Sequence, residues 1–83
     1  PNPFNPTTKF GFGLPEDSDV RIRIYNILGQ EVKTLVHDHL PAGYRFILWN
    51  GKDNYGRNVT SGVYIAVMES KDFRQVRKMV LMK

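Results

Sequence analysis

Apolar and polar residues alternate with a period of two from the eighth residue onward. Thr8, Phe10, Phe12 and Leu14 fall on one side, Lys9, Gly11 and Gly13 on the other, and Pro15 ends the run; this is the pattern of a half-buried strand. The alternation is clearest in "DVRIRIY", where Val20, Ile22 and Ile24 share one face and Arg21, Arg23 and Tyr25 the other. Between Leu28 and Pro41 two periods compete, because Leu28, Val32, Leu35 and Val36 also satisfy the i, i+4, i+7, i+8 spacing of an amphipathic helix. The segment is short for a helix, Val32 and Val36 are β-branched and Gly29 punctuates its start, so a strand is expected here too. "LPAG" is a turn by its proline and glycine, and "YRFILW" follows with apolar residues on both faces apart from Arg45. The densest turn signal is "NGKDNYGRN", residues 50–58, whose asparagine, aspartate and glycine tolerate left-handed backbone. The run "GVYIAVME" comes next, then a reversal at "SKD" and a last strand from Phe73 to Met82. The expectation is an all-β fold, a small antiparallel immunoglobulin-like β-sandwich of about seven strands, with no helix and no solenoid-length repeat.

Composition bounds the possibilities. Eighty-three residues make a single domain, 1–83, and a chain this short buries only about two-thirds of the surface its unfolded form exposes. Hydrophobic residues are 41% and aromatics 12%, enough for one modest core and too much for a disordered tail. With no cysteine, disulfides and thiolate metal sites are excluded. No apolar run approaches the roughly 20 residues that span a bilayer, and membrane insertion is not expected. The chain starts at Pro1 without methionine, which suggests a piece of something longer. Residues 1–7 read as a proline-rich entry segment: Pro3 and Pro6 hold it extended, and Phe4 is the expected plug onto the sandwich.

The net charge of +4 is placed unevenly. Lys71, Arg74, Arg77, Lys78 and Lys83 stand against Asp72 in the last thirteen residues, while the rest of the chain is balanced. Such a stretch suits nucleic acid or an acidic surface. Here Phe73, Val76, Met79, Val80, Leu81 and Met82 interleave with the charges, which fits a strand with one solvated face better than a phosphate-binding arm, so no nucleic-acid partner is expected.

Chemistry-bearing groups are sparse. Ser18, Ser61 and Ser70 lie outside any G-x-S-x-G frame, and His37 and His39 flank Asp38 with no evident third metal ligand. Asn50, Asp53 and Asn54 give the 50–58 loop the oxygen-rich look of a calcium site, but with one carboxylate the plainer reading is Asx turns that stitch the loop to itself. No catalytic residue, metal or cofactor is therefore expected. "NVT", residues 58–60, matches the short glycosylation pattern. Trp49 and Tyr64 read as core, whereas Tyr44 and Tyr55 stay open to a sugar-stacking role.

In their order and spacing, "PNPFNPTT", "VRIRIYNILGQEVKTL", "LPAGYRFILWNGKDNYGRNVTSGVYIAVM" and the terminal "KMVLMK" resemble the C-terminal sorting domain, type A, of proteins exported by the type IX secretion system. The central part, "IYNILGQEV" through "WNGKDNYGRNVTSGVY", is also similar to the immunoglobulin-like domain of the flagellar hook-capping protein. The first resemblance implies a non-enzymatic signal attached to an upstream cargo domain. Its partners would be the outer-membrane secretion machinery and a surface processing or attachment enzyme. Its place would be the bacterial cell surface or the medium, reached through the periplasm. The recognition residues it implies are Gly29, Gln30 and Glu31, with Lys78, Met79, Val80, Leu81, Met82 and Lys83. Two departures from that family stand out: Asn50 where aspartate is common, and the two-sided apolar "YRFILW", which leaves Phe46 and Leu48 as a candidate exposed patch. Two other functions stay open. One is a structural module of a flagellar or other extracellular assembly; the other is an accessory carbohydrate-binding module using Tyr44, Trp49 and Tyr55.

Overall fold

The computed structural model describes residues 7–71 and 73–82. Residues 1–6 of the entry segment, Phe4 among them, together with Asp72 and Lys83, lie outside the described residues. Six strands form among the described residues: β1 (Thr8–Leu14), β2 (Ser18–Tyr25), β3 (Glu31–Leu40), β4 (Gly43–Trp49), β5 (Gly62–Ser70) and β6 (Phe73–Leu81). They make two sheets, β1-β4 and β3-β2-β5-β6, and every pairing is antiparallel. About seven strands were expected from the turn spacing. The structure shows six among the described residues, the six segments that the pattern outlines, and residues 50–58 are the expected turn region, folded onto themselves with one isolated bridge between Lys52 and Asn58.

The two-residue period turns Phe10, Phe12 and Leu14 of β1, Val20, Ile22 and Ile24 of β2, Tyr64, Ala66 and Met68 of β5, and Met79 and Leu81 of β6 into one core with Trp49. Burial of each large member contributes about 1.5–3 kcal/mol. Trp49 is fully enclosed and meets Tyr64 edge to face, with ring centroids 5.1 Å apart. Their polar atoms are satisfied: Trp49 Nε1 donates to the Lys52 carbonyl at 2.9 Å and Tyr64 Oη to the Thr60 carbonyl at 2.6 Å. Both residues are core, as their position in the sequence implies.

β3 is a strand despite its helix-like spacing, and its pairing explains why. The partner of β2 steps from Val36 opposite Ile22 to Thr34 opposite Arg23, and from Lys33 opposite Ile24 to Glu31 opposite Tyr25. Leu35 and Val32 are thus extra residues at bulges. Val32, Leu35, Val36 and Leu40 all reach the core, which strict alternation would not allow.

Glycines shape the outer face of β1. A Cβ on Gly11 would stand 2.7 Å from Tyr44 Oη, and one on Gly13 3.6 Å from the Tyr44 ring. The Tyr44 side chain therefore lies along the bare strand, and a Cβ at Gly11 would have to push its hydroxyl end aside.

Candidate interaction surfaces

The oxygens of the 50–58 loop serve the loop. Asp53 Oδ1 accepts the backbone N–H of Tyr55 and of Arg57, both at 2.9 Å, and Oδ2 accepts Arg57 Nε at 3.1 Å. These bonds, the Arg57 N–H foremost, hold the Asp53 carboxyl below its usual range against the opposing effect of burial. Asn50 Oδ1 takes the Lys52 N–H at 3.1 Å, and Asn54 Oδ1 takes the Thr34 N–H of β3 at 2.9 Å. Among the described residues no group of three or more His, Cys, Asp or Glu is placed to hold a metal ion. Asn50, Asp53 and Asn54 are thus arranged as Asx turns and a clip onto β3.

The turn carrying Gly29, Gln30 and Glu31 is organised by Asn26, which sequence reasoning had not singled out. Asn26 Oδ1 accepts the Leu28 and Gln30 N–H groups at 2.9 and 3.0 Å, and Gly29, at φ 80°, donates to the Asn26 carbonyl. The signal was available as an asparagine three residues before a glycine at a hairpin. Ile27 and Leu28 stand exposed at the tip, so Leu28 is no part of the core.

Glu31 joins a charged network across the outer face of the larger sheet. Arg23 Nη2 donates to Glu69 Oε1 at 2.9 Å, its Nη1 lies 3.7 Å from Glu31 Oε1, and Arg21 approaches Glu69 at 3.9 Å. The bond to Glu69 raises the Arg23 pKa and, reciprocally, lowers that of Glu69. Glu31 Oε2 also accepts Thr34 Oγ1 at 3.2 Å and Asn54 Nδ2 at 3.4 Å, so the hairpin turn and the 50–58 loop meet there.

The terminal residues are at the opposite edge. Glu31, Tyr25, Ile65 and Lys78 are successive cross-strand neighbours in one row over β3, β2, β5 and β6. Three strand spacings separate the row's ends, about 14 Å. Of the recognition residues implied by the sorting-domain resemblance, Glu31 and Lys78 therefore stand at opposite edges of one face. Met79 and Leu81 are core, 4% and 1% exposed, so among the described residues Lys78, Val80 and Met82 are what the terminal motif presents outward. Arg77 is used inside: it donates to the Gly11 carbonyl at 2.8 Å and its guanidinium stands 4.7 Å from the Phe10 ring centroid.

The aromatic platform is divided. Trp49 is buried, Tyr44 lies at the first end of β4, and Tyr55 sits in the loop beyond the other end, with the Arg57 guanidinium 5.0 Å from its ring. Phe46 and Leu48 are exposed on the outer face of β4, as the two-sided pattern suggested, with Lys9 Nζ 4.5 Å from the Phe46 ring centroid. His39 Nδ1 meets Asp19 Oδ1 at 2.7 Å on the exposed surface of β3 and β2, and His37 stands opposite Arg21.

With this geometry in hand, comparison with known proteins is informative. The family described as "FlgD Ig-like domain" matches residues 2–72, a segment that ends before β6. Among solved structures, FlgD from P. aeruginosa is similar with a TM-score of 0.70 and 26% identity, over 90% of this chain and 57% of that one. The chain thus spans little more than half the length of that structure. No curated protein matches. These matches answer to the immunoglobulin-like resemblance; the sorting-domain resemblance has no counterpart among them.

Proposed function

The chain belongs to the FlgD Ig-like domain family, and from that membership we propose that it is a non-catalytic structural module of a flagellar hook or other extracellular assembly. The structural likeness to FlgD over nearly the whole chain carries this reading. The local chemistry agrees with it: the polar side chains that looked most like a site, Asn50, Asp53 and Asn54, are bonded to the fold's own backbone. What such a module offers is surface: the exposed hairpin tip at Ile27 and Leu28, the outer face of β4, and the cationic outer face of β6. Deleting residues 1–83 from the host's gene should stop the assembly from completing, as seen by electron microscopy, and restoring them should rescue it. Normal assembly in the deletion strain would refute the reading.

A second reading is favoured by a specific observation: the family match stops at residue 72, and β6 beyond it presents two cations, Arg74 and Lys78, on its outward positions. In that reading the chain is a sorting signal for type IX secretion. Lys78, Val80 and Met82 would be read by the outer-membrane machinery, the cargo would lie upstream, and a surface enzyme would process or attach the product at the cell surface. Residues 1–83 fused to a periplasmic reporter should then carry it out of a host that has the pathway. A reporter that stays in the periplasm removes this reading and leaves the first intact.

A further inference from the structure

The core is left incomplete on one side. Inward apolar side chains of β1, β2, β5 and β6 are buried, whereas the hydrophobic residues that touch the core while staying partly open are Val32, Leu35, Val36 and Leu40 of β3, Ile47 of β4 and Val59. Sheet widths explain this, because four strands face two. Arg77 draws β1 against β6 through the Gly11 carbonyl, so the narrow sheet covers the β6 side and stops short of β3. The start of the β3 edge is taken by the loop, through Asn54 N–H to the Val32 carbonyl and Thr34 N–H to Asn54 Oδ1. β4 has β1 on one edge and, among the described residues, no strand on the other. On this side sits Arg45, at an inward position of β4: Nη2 donates to the Pro41 carbonyl at 2.6 Å, while Nη1 is enclosed with no acceptor among the described residues.

We propose that the β3–β4 side is a strand-addition site for an extended segment of a partner protein that carries apolar residues at alternate positions and one inward carboxylate. The segment's backbone pairs with the open edge of β4, its apolar side chains cover Val36 and Ile47, and its carboxylate receives the spare Arg45 N–H. Charge selects this occupant over others. β4 itself, "GYRFILW", has no acid, so a second copy pairing through the same edge would bring another Arg45 into the interlayer space with nothing to meet either. A wholly apolar strand would leave Arg45 desolvated and unpaired.

The proposal rests on the reading of the chain as a binding module, and its test is separate from the deletion experiment. Isotopically labelled 1–83 is titrated with a capped peptide of about seven residues, a usual strand length. Valine and threonine alternate in it, with one inward valine replaced by glutamate; a twin peptide carries glutamine there. The glutamate peptide should protect β4 amides from exchange and bind at least tenfold more tightly than its twin, about 1.4 kcal/mol. Arg45→Met, its fold checked by melting, should erase the difference; the peptide pair keeps the test valid if that variant unfolds. No binding at millimolar peptide, equal binding of the twins, or shifts confined to β6 would overturn the proposal. So would protection of β4 in a dimer of the free domain, which would assign the edge to a second copy.

Discussion

Replacing Arg77 with methionine tests how the sandwich is closed. The guanidinium makes one charged hydrogen bond to the Gly11 carbonyl, 2.8 Å long, and lies over the Phe10 ring. A bond to a charged group contributes about 1.5 kcal/mol at the low end, and the cation over the ring about another 0.5–1 kcal/mol. Methionine keeps most of the apolar stem, so the expected loss is about 2 kcal/mol, without a cavity term. For a domain of this size total stability is about 4–12 kcal/mol, so the loss is a sizeable share of it. At roughly 4–8 °C per kcal/mol, Tm should fall by about 8–16 °C. Urea unfolding followed by Trp49 fluorescence should show a lower midpoint at unchanged slope, and amide exchange should accelerate in β1 before the rest of the fold. A double-mutant cycle with Phe10→Leu should return a coupling of about 0.5–1 kcal/mol. If Arg77→Met melts with the wild type and β1 exchanges no faster, Arg77 is not the closure.

Gly51 has φ 74° and a Cβ there would sit 3.1 Å from a Leu81 methyl, so Gly51→Ala should cost about 1–3 kcal/mol in chemical denaturation; a neutral result would mean the loop relaxes freely. Tyr64→Phe removes the bond to the Thr60 carbonyl and should cost about 1 kcal/mol while sparing the packing on Trp49. The Asp53 carboxyl titrates lower in the folded chain than in the unfolded one, since the Arg57 N–H, then that of Tyr55 and the Arg57 guanidinium, favour its charged form. Its stabilisation is complete above the unfolded value of about 3.9 and is lost as pH falls through the lower folded value. The urea midpoint of the wild type should therefore drop more steeply below about pH 4 than that of Asp53→Asn; superimposable acid limbs would exclude Asp53 as a contributor.

The strands were legible because their face assignment needs only a period of two, and burial follows it in β1, β2 and β6. In β3 the sequence carried two periods, and the bulges at Val32 and Leu35 let a strand satisfy a spacing that looks helical. No local rule announces such a bulge; it is set by what β2 presents opposite. Charge misled in a similar way. Arg77 was counted with the basic terminal stretch, yet its strand position turns it inward, where Phe10 and the Gly11 carbonyl receive it. What covers the β1 glycines is not local either: Tyr44, more than thirty residues later, lies over Gly11 and Gly13. Of the candidate site, Phe46 and Leu48 were found by their two-sided pattern, while Asn26, which organises the β2–β3 turn, was not singled out.

An open sheet edge invites pairing with another chain, and natural edges usually carry something that prevents it. Among the described edges, β3 has two bulges and the polar His37, Asp38 and His39. β6 carries Arg74 and Lys78 outward and is latched to β1 by Arg77; β1 has Lys9 and lies against β6. β4 has none of these: it runs in unbroken register with β1, without proline, and shows Tyr44, Phe46 and Leu48 outward. Its one deterrent is Arg45, the residue that interrupts an otherwise apolar run. An inward cation repels strands that bring no acid and accepts one that does, so the same side chain keeps copies of this domain apart and defines the partner it admits. That makes the charge at residue 45 the feature to vary first: Arg45→Glu should reverse the preference between an acidic and a basic peptide, whereas a change in overall affinity alone would show that the edge discriminates by shape.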